Sequence, residues 1–152
     1  MNGQTQHRIP TISHGVEAGS IPRGIIVLLG RLLFVLIFLK TGPNLFLKQT
    51  ISYAASQGVP FATFAVPIAG VLALAGGVSV LVGFRTKLGA SLIALFLIPV
   101  TLMMHKFWTV TDAGMAQVQM IMFMKNLAIL GGALLISQFG AGPMSLDARR
   151  SR

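Results

Sequence analysis

Residues 60–84 read PFATFAVPIAGVLALAGGVSVLVGF and carry no charged side chain. A helix needs about 20 mostly apolar residues to cross a bilayer core of roughly 30 Å, so this stretch is expected to span. Ala65, Ala69, Ala73 and Gly77 recur within it at four-residue spacing, with Gly70 and Gly76 beside them. A stripe of small residues lets helices approach closely in lipid, where no hydrophobic drive brings them together. Three further stretches meet the same length test: residues 21–39, 88–105 and 115–136. The fold class that follows is an all-α, integral membrane four-helix bundle over residues 21–139.

The composition agrees. Of 152 residues, 54% are hydrophobic and 10% charged, against about 25% charged in an average soluble domain. Mean hydropathy is +0.80. The net charge of +9 would suggest nucleic acid in a soluble chain. Here the basic residues sit at the edges of apolar runs, so no nucleic-acid partner is expected and the lipid bilayer is. Arg8, Arg23, Arg85, Lys87, Arg149, Arg150 and Arg152 fall on one side; Lys40, Lys48 and Lys106 fall on the other. The positive-inside bias places the heavier side, with both termini, in the cytoplasm.

Residues 1–20 are polar and irregular and read as a flexible cytoplasmic tail. Residues 140–152 read as a basic cytoplasmic C-terminal tail. Leu47, Ile51, Ala54 and Ala55 predict a short interfacial helix on the outer side between spans one and two. Tyr53, Phe107 and Trp108 fit an outer aromatic belt. Pro67 and Pro99 fall inside spans, and each frees the carbonyl four residues earlier.

Two cations lie within the spans: Arg31 in the first and Lys125 in the fourth. Each is about ten residues from one end of its span, so both are expected roughly 15 Å deep, at similar depth in one bundle. Lys125, Ala128 and Gly132 share a helical face, which would turn Lys125 into the bundle. The acids Glu17, Asp112 and Asp147 all lie outside the spans, so no internal ion pair is available. A charge at mid-membrane costs at least about 2.5–3.5 kcal/mol and marks a candidate functional site. The partners open to Arg31 are Asn126, Gln117, Gln119, Thr41, backbone carbonyls, water, or an anionic or carbonyl-bearing ligand. The expectation is a small cationic cavity formed by Arg31, Lys125 and Asn126, with His105 near its mouth.

Other chemistry is poorly supplied. The chain has no cysteine, hence no Fe–S cluster or thiolate metal site. His7 and His14 are both in the tail, so no haem and no metal are expected, and no catalytic residue is assigned.

The chain resembles the DoxX family of small bacterial membrane proteins from about residue 23 onward. The resemblance rests on Gly-Arg-Leu-Leu-Phe (30–34), Gly-Val-Pro (58–60), Gly-Gly (76–77), Gly-Phe-Arg-Thr-Lys (83–87), His105, Met-Phe-Met-Lys-Asn-Leu (122–127) and Gly-Ala-Gly-Pro-Met-Ser-Leu-Asp (140–147). It implies a multi-pass protein of the bacterial inner membrane, with the family's Arg, His and Lys-Asn falling on Arg31, His105 and Lys125-Asn126. It further implies a quinone-like ligand and an accessory role in a respiratory or redox-stress system, with other membrane or redox proteins, or a second copy of the chain, as partners. A quinone-reducing subunit of the thiosulfate:quinone type and a transporter of a small anion or lipid are the alternatives. The chain departs from the family's pattern in span two, where Ala73-Leu74-Ala75 precede the Gly-Gly without an acid.

Overall fold

A computed structural model describes residues 23–150. The expected tail at residues 1–20 lies outside the described residues. Four helices are long and apolar enough to cross a membrane: α1 (Arg23–Thr41), α3 (Ala62–Val82), α4 (Thr86–Met104) and α5 (Ala113–Phe139). The short α2 (Lys48–Ser56) connects the first two on the outer side, after a 3₁₀ turn at Gly42–Phe46, and α6 (Leu146–Arg150) closes the chain. The described residues contain no strand.

The helices pack in series: α1 on α3, α3 on α4, and α4 on α5. The centre is built from Val35 and Phe38 of α1, Ala73 and Val80 of α3, Ile93, Phe96 and Leu97 of α4, and Ala133 of α5. Larger apolar side chains such as Leu33, Phe64, Leu95 and Leu135 point outward, as lipid-facing side chains should. Within α3 the buried small residues are Ala62, Gly70, Ala73, Gly76 and Gly77, so the packing face is turned slightly from the expected alanine stripe. The reason is the α3–α4 crossing. A Cβ on Gly76 would lie 2.7 Å from the carbonyl oxygen of Gly89 on α4, a distance open only to glycine. The helices continue through Pro67 and Pro99.

α3 and α4 join through a tight inner turn. Gly83 (φ +73°) and Arg85 (φ +46°) both adopt left-handed backbone there. Ser79 bonds the turn twice over: its carbonyl accepts from the Gly83 and Phe84 N–H groups, and its hydroxyl donates to the Phe84 carbonyl at 2.6 Å.

Candidate functional site: an outer cleft and an inner latch

α1 and α5 complete the ring only loosely. They meet where Phe34 packs against Gly132; a Cβ on Gly132 would lie 3.2 Å from the Phe34 ring. Outward of that point they part, and α4 floors a cleft of about 140 Å³. Ile37, Phe38 and Thr41 line one wall, Phe96, Leu97, Val100 and His105 the floor, and Lys125, Asn126 and Ile129 the other wall. The lining is apolar at its base and polar along α5 and at its outer end.

Three of the four sequence-predicted residues therefore come together: Lys125, Asn126 and His105. His105 Nδ1 lies 2.8 Å from Gln119 Oε1. With that oxygen accepting, Nδ1 carries the proton, and Nε2 of a neutral ring is left as an acceptor. Asn126 is 6% exposed; its amide has no hydrogen-bond partner among the described residues and opens onto the cleft rather than being sealed in the core. Lys125 is exposed, and the bond recorded for its ammonium is to Met122 Sδ at 3.2 Å, a weak acceptor. The shared helical face with Ala128 and Gly132 thus misdirects. The inward face of α5 carries Asn126 and Ala133, and Lys125 stands at the lip of the cleft.

Arg31 is elsewhere. Taking the Phe34–Gly132 contact as a level mark, Arg31 sits three residues inward and Lys125 seven residues outward. That separates their Cα atoms by roughly 15 Å along the membrane normal. Side chains tilt toward the N-terminus of their own helix. α1 begins at the inner side and α5 at the outer side, so Arg31 reaches inward and Lys125 outward. The expected joint cavity of Arg31 with Lys125 is corrected on this ground.

At the inner end, Arg31 Nη2 donates to the Met144 carbonyl at 2.7 Å. The residues expected as a C-terminal tail fold back over the bundle to supply it. Asp147 holds them there. Its carboxylate accepts from the Arg85 N–H (2.8 Å), the Thr86 N–H (2.9 Å) and the Thr86 hydroxyl (2.9 Å), and its own N–H donates to the Gly83 carbonyl at 2.8 Å. Burial alone would raise the Asp147 pKa; the Thr86 and Arg85 bonds and the Arg150 charge outweigh it and hold the carboxyl below its ordinary value. Asp147 is also the acid whose charge reaches Arg31. Arg31 is 4% exposed, and its Nε and Nη1 have no partner among the described residues. Gly83 makes the closure feasible, because a Cβ there would collide with Arg31 Nη1 and with Ser145. Asp147 escaped the sequence reading because its partners lie more than 60 residues upstream.

The described residues hold no group of His, Cys, Asp and Glu suited to a metal ion. No solved structure matches the chain. The SURF4 family model matches residues 4–152. Inner membrane protein YphA of Escherichia coli is 33% identical over 84% of this chain and 91% of its own length. Inner membrane protein YqjF of the same organism is 32% identical over 80% and 88%. ER-derived vesicles protein ERV29 of Saccharomyces cerevisiae is 28% identical over 53% of this chain and 26% of its own length. These matches overturn the DoxX resemblance. Its strings are short and scattered from α1 to the C-terminal segment, and short strings of this kind do not separate one family from another. The chain is a multi-pass inner membrane protein, and it belongs to the SURF4 family.

Proposed function

We propose that the protein is a non-catalytic ligand-binding protein of the inner membrane. Its α1–α5 cleft takes a small molecule that presents an acceptor oxygen, a carboxylate or a ring carbonyl, to Lys125 and Asn126. The observation that carries this reading is Asn126: a nearly buried residue whose amide, without a partner among the described residues, lines an accessible cleft. Among the described residues no neighbouring side chain or backbone group satisfies this amide, and a ligand in the cleft supplies the partner that the helices do not. The volume of about 140 Å³ compares with the roughly 150 Å³ that accommodates a benzene ring, so the ligand is ring-sized or smaller at this point. At the outer end Thr41, whose hydroxyl donates to the Ile37 carbonyl, and His105, through Nε2, add acceptors that favour a ligand with a donor on that side. The quinone and redox parts of the earlier expectation rested on the DoxX resemblance and lose that support.

Native mass spectrometry of protein released gently from its own membrane tests the reading. The wild type should retain a small-molecule adduct that Asn126→Leu loses and that Arg31→Met, at the opposite end, keeps. An adduct-free wild type, or one whose adduct survives Asn126→Leu, refutes it.

A further inference from the structure

A second concavity lies at the inner end, where the returning C-terminal segment passes the start of α4. Its volume is about 610 Å³, within the roughly 300–1,000 Å³ range of small-molecule sites. One side is cationic: Arg85 and Lys87 line it. Lys87 is placed by packing, its aliphatic stem running past Gly140, where a Cβ would lie 3.7 Å from Lys87 Cε. The other side is apolar and bare: Leu88 is 54% and Phe139 82% exposed. Asp147 also lines the crevice, but three donors from Arg85 and Thr86 already occupy its carboxylate.

We propose that this crevice is a binding site for an anionic phospholipid of the inner leaflet, its phosphate held by Arg85 and Lys87 and its acyl chain lying along Leu88 and Phe139. Three observations converge on an amphiphile. The lining changes from cationic to apolar across one concavity. The apolar part belongs to the ends of two membrane-spanning helices, at the depth where acyl chains begin. The cationic part belongs to the turn that the charge bias assigns to the cytoplasmic surface, where anionic lipids attract basic residues. A free phosphate would use the cations and leave Leu88 and Phe139 in water. A soluble protein partner would meet the cations but could not follow Phe139 into the hydrocarbon. The site is independent of the α1–α5 cleft, since no residue lines both.

The test uses the full-length protein in detergent, with short-chain phosphatidylglycerol, phosphatidylcholine of the same chain length, and inorganic phosphate as probes. Binding is read by native mass spectrometry and by the rise in Tm. Phosphatidylglycerol should bind and raise Tm; phosphatidylcholine should do so about tenfold more weakly; inorganic phosphate should neither bind nor displace the lipid. Lys87→Gln alone, and Arg85→Gln with Lys87→Gln, should weaken phosphatidylglycerol binding about tenfold or more. Arg149→Gln with Arg150→Gln removes the same charge outside the crevice and should leave binding within about twofold of wild type. Lys87→Gln keeps the test decisive if Arg85, in its left-handed backbone, tolerates no exchange. The proposal is overturned if both double variants lose binding equally, if the two lipids bind alike, or if inorganic phosphate displaces the lipid.

Discussion

Arg31 and Lys125 are both cations carried on apolar helices, yet their surroundings differ sharply. Arg31 is 4% exposed and bonded to a main-chain carbonyl, under a segment pinned by Asp147. Lys125 stands exposed at a cleft beside an unpartnered amide, with a thioether for company. The first environment is closed by the chain itself. The second is left for something else to close. Polarity along the helix axis explains the division: the two helices run in opposite directions, so the side chains lean to opposite faces. One cation becomes part of the scaffold, and the other becomes available for recognition.

That contrast can be broken from the inner end first. Gly83→Val forces a Cβ into Arg31 and Ser145 and imposes left-handed backbone on a branched residue. The expected loss is about 3 kcal/mol, read as a large fall in Tm and rapid proteolysis of residues 140–150. Asp147→Asn removes the charged acceptor of α4's first N–H groups and should cost about 1–2 kcal/mol. Its pH dependence has a definite sign. The folded carboxyl titrates below its unfolded value of about 3.9, so its contribution is complete above that pH and is lost as the pH falls toward the folded value. The wild type should therefore lose stability in acid more steeply than Asp147→Asn, as hydrogen exchange at Thr86 and Asp147 would show.

The outer end responds with the opposite sign. Asn126→Leu removes an unpartnered amide from a nearly buried position and should stabilise the ligand-free protein by about 1 kcal/mol, measured as a rise in Tm, while abolishing binding. A fall in Tm would mean that Asn126 is structural and would erase the distinction between the two ends. Thr101 gives the smallest test. Its buried hydroxyl has no partner among the described residues, and it does not line the cleft. Thr101→Val should stabilise by about 0.5 kcal/mol and leave ligand binding unchanged.

The spans, the outer helix and the membrane location were legible because each depends on local composition: a charge-free run such as 60–84 has few other solutions. The grouping of Lys125, Asn126 and His105 was legible only in part. Lys125 was read as inward-facing from its spacing to Ala128 and Gly132, whereas the packing of Asn126 and Ala133 sets the rotation of α5. The partner of Arg31 was out of reach: a backbone carbonyl was among the options, but no pattern assigns one from Met144, a residue in a glycine-rich stretch that reads as a tail. Asp147 was counted as lying outside the membrane, correctly, and discounted as a partner for that reason. A side chain that reaches toward the interface can still feel an acid there. The family was misread because short strings, even in the right order, carry less information than a match over the whole chain.

The Arg31–Met144 bond joins residues 113 positions apart. At about 5–20 residues per second, the ribosome finishes Met144 roughly 6–23 s after Arg31. Throughout that interval α1 carries a guanidinium with no carbonyl from the C-terminal segment to receive it. The first helix thus enters the bilayer as an unfinished element, tethered toward the side where its partner will emerge. Completion of the bundle becomes an event of late synthesis, and a chain cut short before Met144 lacks the contact that seals its first span.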